Sequence, residues 1–266
     1  MTQLLELAVE SAVTAGRFLK QNVGKVKHID RKLGQETNLV TEIDRKAEGM
    51  IIERIRKRFP QHGFLGEEFG VQETNSDYKW VIDPLDGTTN FTHGLPIFCV
   101  SIGLEHKGEL VVGVVYDPNL DEVFTAEKGK GAFLNHKRIR VSGTHKLGES
   151  LLVTGFPYDI QSKTDTIVAH FENFLKTSQA VRRLGSAALD LCYVAAGRFD
   201  GYWENSLNPW DMAAGVLLVQ EAGGTVSDFR GFPSTIYQKP VLATNGKIHE
   251  QMIEVLSRSS KYESSK

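Results

Sequence analysis

The hydrophobic pattern of this chain changes period once, and that change limits the folds open to it. Three strand-like runs, Ile97 to Glu105, Leu110 to Tyr116 and Glu122 to Thr125, follow one another across short turns. The linkers His106-Lys107-Gly108-Glu109 and Asp117-Pro118-Asn119-Leu120-Asp121 carry hairpin chemistry, and connections this short join antiparallel neighbours. Gly129-Lys130-Gly131 and Asn135-His136-Lys137 continue the meander to Arg140-Val141-Ser142. Ser142 to Ser150 is polar and turn-rich, and beyond it strands and helices alternate. Leu151–Thr154, Ala180–Arg183, Phe199–Trp203, Thr225–Ser227 and Val241–Ala243 read as strands. Thr164–Lys176, Ser186–Ala196, Pro209–Ala222 and Lys247–Leu256 read as helices. The expected fold class combines α+β and α/β. An α+β domain is expected over 1–146, with helices grouped on one side of an antiparallel sheet, and an α/β domain over 147–266.

Ahead of the meander the order is helix, helix, then sheet. Leu4, Leu5, Ala8, Ala12, Ala15, Phe18 and Leu19 fall at helical spacing between Glu6, Glu10, Arg17 and Lys20, which is an amphipathic helix and not a secretory leader. Leu39 to Phe59 repeats the spacing and Pro60 closes it. No apolar stretch approaches the ~20 residues of a membrane span. Hydrophobic content of 41% and charged content of 24% fit a soluble globular chain, and a net charge of -2 gives no general attraction to nucleic acid or anionic membrane. Cys99 and Cys192 lie far apart in apolar runs and read as buried, reduced thiols of a cytoplasmic protein. The polar run Ser259 to Lys266 is expected to fray.

Chemistry concentrates in Trp80-Val81-Ile82-Asp83-Pro84-Leu85-Asp86-Gly87-Thr88-Thr89-Asn90. An apolar strand ends in two aspartates, and Pro84 fixes its own φ and biases its neighbour to extended backbone. Two carboxylates and the Leu85 carbonyl form an oxygen-only donor set, which suits a hard cation such as Mg²⁺. Gly87-Thr88-Thr89 offers consecutive N–H groups at the start of a helical turn, a seat for phosphate. An ordinary Asp-Pro, Asp-Gly turn is the alternative. Gly66-Glu67-Glu68 after Phe64-Leu65, taken alone, reads as a solvated loop before a site. Asp211 follows an Asn208 cap and Pro209, where the helix dipole alone accounts for an acid. Asp44 reads equally as a helix-surface acid.

In combination these segments resemble the inositol monophosphatase family, within the superfamily of magnesium-dependent, lithium-sensitive phosphatases. Trp80 to Phe91 carries the first motif. Trp210-Asp211-Met212-Ala213-Ala214-Gly215, continuing to Glu221-Ala222-Gly223-Gly224, carries the second. Gly66-Glu67-Glu68 and Asn38 to Asp44 also match, and the likeness runs from the first helix to about Leu256. It implies a layered αβαβα sandwich of the sugar-phosphatase type. Position by position, it implies that Glu67, Asp83 and the Leu85 carbonyl bind one Mg²⁺. Asp83, Asp86 and Asp211 would bind a second, with a weaker third ion on the Glu67 side. Thr88 would orient the attacking water with Asp44 hydrogen-bonded behind it, so Thr88, Glu67 and Asp44 form the catalytic group. Asp86 and the Gly87 and Thr88 amides would face the phosphate, and Gly185, Ser186, Ala187 and Glu204 the inositol hydroxyls. Family members often carry a lysine before the Asp44 helix. Lys32 is nearest, one residue short in spacing, and takes no role.

The resulting expectation is Mg²⁺-dependent hydrolysis of a phosphate monoester, inositol 1-phosphate first, by water without a phosphoenzyme. The alternatives are fructose 1,6-bisphosphate, histidinol phosphate, 3′-phosphoadenosine 5′-phosphate, or an added RNA- or protein-binding role through Arg54, Arg56, Lys57 and Arg58. A solvated helix face explains that basic run ahead of any such contact, and no nucleic-acid or membrane partner is expected. The resemblance implies a homodimer. Val216 to Val219 read as core, with part of their face open to a dimer.

Overall fold

Thr2 starts the first helix by accepting the Leu5 amide on its hydroxyl. The computed structural model describes residues 2–25, 29–32, 35–157 and 160–258, without the side chains of 29–32, 35–40 and 161–163. The Lys32 side chain and the run from Ser259 lie outside the described residues. Helix α1 (Gln3–Asn22) buries Leu5, Ala8, Ala12, Ala15 and Leu19 along one stripe. A hairpin of β1 (Ile29–Lys32) and β2 (Gln35–Thr41) leads into α2 (Glu42–Arg58). The second helix thus starts after Thr41, and Leu39 to Thr41 are strand where helical spacing was read. The cause is a capping box: Thr41 accepts the Ile43 amide, and the Asp44 carboxylate accepts the Thr41 amide at 3.0 Å.

The chain then builds β3 (Gly63–Gly66), β4 (Gly70–Gln72), β5 (Tyr78–Asp86) and the short helix α3 (Thr88–Thr92). The meander follows as β6 (Cys99–His106), β7 (Glu109–Asp117), β8 (Glu122–Glu127), β9 (Gly131–Leu134) and β10 (Lys137–Arg138). These form a sheet in the order β10-β9-β8-β7-β6-β5-β3-β4. It is antiparallel except where β5 returns beside β3 in parallel. Residues 139–146 lie beyond the last strand, so the meander stops short of Val141.

The second half supplies β11 (Leu151–Thr154), α4 (Ile160–Thr177), β12 (Ala180–Arg182), α5 (Ala187–Ala195), β13 (Gly201–Glu204) and α6 (Pro209–Glu221). It ends with β14 (Thr225–Ser227), β15 (Val241–Thr244) and α7 (His249–Leu256). Its sheet runs β12-β11-β13-β15-β14, parallel about β11 and antiparallel about β15.

Strand alternation sorts the first sheet into two faces. Trp80, Ile82, Val100, Ile102, Leu104, Val112 and Val114 pack with α1 and α2. Val81, Cys99 and Val115 point the other way, into a core shared with α5, α6 and the inner face of the second sheet. Leu152, Trp203 and Leu242 on its outer face meet Phe174 of α4 and Met252 and Val255 of α7. The order is helix, sheet, helix, sheet, helix, the expected αβαβα sandwich. Met212 to Val219 are all buried because α6 lies between two sheets, as the core reading of Val216 to Val219 expects. Cys99 and Cys192 are both free and buried. No described helix is long and apolar enough to cross a membrane.

Candidate metal and phosphate site

In an unbroken strand, residues three apart point to opposite faces. Asp83 pairs with Ser101 and Asp86 with Cys99, so three residues of β5 oppose two of β6. This bulge, centred on a proline with no N–H to lose, turns Asp86 onto the face that Asp83 already occupies. Both acids thereby face α5 and α6. Asp83 is buried, and its Oδ1 accepts the Leu85 amide at 3.0 Å. Asp86 Oδ2 accepts the Ser186 hydroxyl at 2.6 Å and the Ala188 amide at 2.7 Å, at the start of α5. One motif residue therefore ties the first sheet to the central helices.

Gly87 follows at φ 98, and a Cβ there would lie 2.8 Å from the Ile97 carbonyl, so only glycine makes this corner. It caps α3, where Thr88 is buried. Thr88 Oγ1 donates towards Asp44 Oδ1 at 3.2 Å and the Leu85 carbonyl at 3.1 Å. Asn90 donates to the carbonyls of Ile97 (2.8 Å) and Leu184 (2.9 Å), linking α3 to the segment before α5.

Asp211 stands in the first turn of α6. Its Oδ2 accepts the Asn208 amide at 2.6 Å and closes a capping box with Asn208, a structural role beyond the helix dipole. The same residue borders the cleft lined by Asp86, Gly87, Gly185, Ser186, Ala187 and Glu204. Glu204 is buried at the end of β13, where its Oε2 accepts the Tyr202 hydroxyl at 2.5 Å. A Cβ at Gly155 would collide with that carboxylate. Glu67 is half-buried at the end of β3, and its amide donates to the Ile82 carbonyl at 3.2 Å, next to Asp83. A larger groove of about 440 Å³ beside α2 and β4 includes none of the motif acids.

The electrostatics follow from burial. Desolvation first, then repulsion from Glu67, Asp86 and Asp211, pushes Asp83 well above the usual carboxylate range. Desolvation and repulsion from Glu67 do the same to Asp211. Burial raises Asp86 against the hydrogen bonds from Ser186 and α5. Burial brings Asp44 to about 6 against its Thr41 hydrogen bonds, and Glu204 to about 7. Burial raises Asp83, Asp86 and Asp211 together, and the repulsion that Asp83 and Asp211 feel from Glu67 is relieved when positive charge joins them. Among the described residues, no three acidic, histidine or cysteine side chains stand close enough to clasp an ion as placed. Asp86, Asp211 and Glu204 line one cleft, and Asp83 and Glu67 stand outside its lining but close enough to repel the others, without a preformed coordination shell. Their oxygen-only donors and mutual repulsion fit a hard divalent cation, and Glu67, Asp83, Asp86, Asp211 and the Leu85 carbonyl are the groups that could hold one.

Three neighbours escaped the sequence reading. Glu48, fully buried on α2, accepts the Glu68 amide at 2.8 Å and the Phe69 amide at 3.1 Å. Its one signal was a glutamate at i+4 from Asp44 on an otherwise apolar face. Asp190 lines the cleft, buried, with no hydrogen-bond partner for Oδ1 among the described residues. Arg183 brings a cation to the same lining, its guanidinium over the Phe156 ring at 5.7 Å. The basic run is partly paired: Arg54 meets Glu10 at 3.7 Å and Lys57 meets Glu53 at 2.7 Å.

The profile of the inositol monophosphatase family matches residues 1–261. The inositol-1-monophosphatase of Mesorhizobium japonicum is 44% identical over 256 residues, covering 96% of both chains. The protein named Nus factor SuhB of Pseudomonas aeruginosa is 44% identical over 261 residues, again with 96% of each chain covered. The crystal structure of the extragenic suppressor protein suhB from Bartonella henselae superposes with a TM-score of 0.92 at 42% identity, covering 97% of this chain and all of that one.

Proposed function

The chain belongs to the inositol monophosphatase family, and from that premise we propose that it hydrolyses small polyol phosphates, inositol 1-phosphate first, with two or three Mg²⁺ ions. The observation that carries this reading is the β5 bulge. It sets Asp83 and Asp86 on one face, opposite Asp211 and the start of α5. In this reading Glu67, Asp83 and the Leu85 carbonyl would hold one ion, and Asp83, Asp86 and Asp211 another. When bound, Mg²⁺ supplies the positive charge that a dianionic ester and a departing alkoxide need.

The chain's own residues position the reactants. Thr88 has one hydroxyl proton, directed to Asp44 or the Leu85 carbonyl. Its lone pairs are left to accept a hydrogen bond from water, which holds that water for attack on phosphorus. The Gly87 and Thr88 amides face the phosphate. The Gly185-Ser186-Ala187 segment and Glu204 face the alcohol, with Glu204 accepting hydroxyl protons. No protein nucleophile takes part: a P–O bond to water forms as the ester P–O bond breaks, and the proton that water gives up ends on the departing alkoxide, leaving alcohol and phosphate.

Phosphate release tests the proposal, measured with Mg²⁺ and with EDTA on inositol 1-phosphate, fructose 1,6-bisphosphate, histidinol phosphate and 3′-phosphoadenosine 5′-phosphate. Preference for inositol 1-phosphate, abolished by EDTA, is expected. Preference for another ester would keep the chemistry and remove the role given to Glu204. Lithium inhibition and a homodimer belong to the same proposal, checked by LiCl titration and sedimentation.

A Nus-factor role beside the phosphatase is a second reading, supported by the name of the Pseudomonas relative. Salt-dependent RNA retention, lost on replacing Arg54, Arg56 and Arg58 by Ala, would support it.

A further inference from the structure

We propose that Glu48 is a positioning residue that sets the affinity of the site for Mg²⁺ by fixing the loop that carries Glu67. The inference rests on the reading of Glu67 as a metal-binding group.

A carboxylate is costly to bury, and a fully buried one is ordinarily held by a cation or a set of donors. Glu48 is fully buried, and its two oxygens accept the consecutive amides of Glu68 and Phe69 at 2.8 and 3.1 Å. These amides lie just past Glu67. The loop has been shaped around the carboxylate: a Cβ at Gly66 would collide with it. From the other side, the Glu67 amide donates to the Ile82 carbonyl at 3.2 Å, beside Asp83. Arg45, on the same helix, reaches the Glu68 carboxylate at 4.0 Å. The backbone flanking Glu67 is therefore fixed to β5 on one side and to α2 on the other.

The helix has a second duty one turn earlier. Residues four apart share a helix face, so Asp44 and Glu48 project together from α2. Asp44 reaches Thr88 on the far arm of the site while Glu48 holds the Glu67 arm. One rigid face sets the distance between the two arms. A loop held only by its own turn would carry Glu67 over a wider range, and ordering it would be charged against ion binding.

Glu48→Gln keeps the volume and one acceptor, but turns an NH₂ towards a backbone N–H. Gly66→Ala attacks the same contact from the loop side. Both would be titrated with Mg²⁺ by calorimetry from the metal-free state, beside wild type, with thermal melting and amide hydrogen exchange in EDTA. We expect Mg²⁺ binding weakened by about tenfold or more, the scale for groups that orient metal ligands. Exchange should quicken at Glu68 and Phe69, and kcat should recover at high Mg²⁺ with little change in KM. Unchanged Mg²⁺ affinity in a folded Glu48→Gln protein would overturn the proposal, even with a lower melting temperature, because that is what a purely structural role predicts. Should Glu48→Gln fail to fold, Gly66→Ala decides on the same criterion. Failure of wild type to bind Mg²⁺ would overturn the reading of Glu67 first, and this proposal with it.

Discussion

Asp83 is where stability and function pull apart. It is buried among like charges, and that burial and repulsion push its carboxyl well above the usual range in the metal-free fold. Asn in its place is neutral and nearly isosteric, so it removes the repulsion and the binding group together. Asp83→Asn should therefore melt higher than wild type in EDTA, lose the stabilisation that Mg²⁺ gives wild type, and release almost no phosphate. Melting curves with and without Mg²⁺, beside the assay, check all three, and wild-type turnover would falsify the assignment. Thr88→Ala removes a single positioned hydroxyl and should cost roughly 10²-fold or more in kcat. Thr88→Ser keeps the hydroxyl and should retain most activity. At this scale much of the site was legible, since Asp83, Asp86 and Thr88 sit in one short run. Glu48 and Asp190 were not, because a lone acid in a helical pattern reads as solvated surface until its burial is known.

Elements explain why the two halves form one site. Helix α6 crosses the first sheet at positions without side chains: a Cβ on Gly113 would lie 2.8 Å from the Ala214 carbonyl, and one on Gly103 2.6 Å from the Ala213 Cβ. Gly113→Ala should therefore cost about 1–3 kcal/mol, on the scale of overpacking a close contact. Denaturant unfolding measures it, and a change under about 0.5 kcal/mol would show that α6 shifts freely. Activity should fall as well, since Asp211 rides on the same helix. These glycines show the limit of pattern reading. The meander and the later strand–helix alternation were visible because turn chemistry and apolar period recur. The β1–β2 hairpin was missed because Asp30, Arg31, Lys32 and Gln35 to Asn38 carry no apolar alternation. The bulge at Pro84 appears only once the partner strand gives the register.

For the whole molecule, burying acids around a cation site links stability to pH and to the ion together. Glu48 and Glu204 titrate at about 7 in the metal-free fold, against an ordinary value of 4.5. Between those values the unfolded chain has released protons that the fold still holds, so stability falls as pH rises through the window and levels off above about 7. Asp83 and Asp211, raised by burial and repulsion, act in the same sense. His62 and His249 oppose it, because burial lowers both and their contribution grows as pH rises towards 6.5. Mg²⁺ reverses the balance for the acids around it. At pH 5 the ion has to displace protons, and at pH 8 it meets carboxylates that the unfolded chain also exposes as anions. The gain in melting temperature on adding Mg²⁺ should therefore be small at pH 5 and increase steadily to pH 8. An ion present at a hundred times its Kd adds about 2.7 kcal/mol, which is several degrees for a chain of this size. Melting curves at four pH values with Mg²⁺ and with EDTA measure the increment. An increment independent of pH would mean that the ion binds away from the buried acids, and the coupling described for Asp83 and Asp211 would fall.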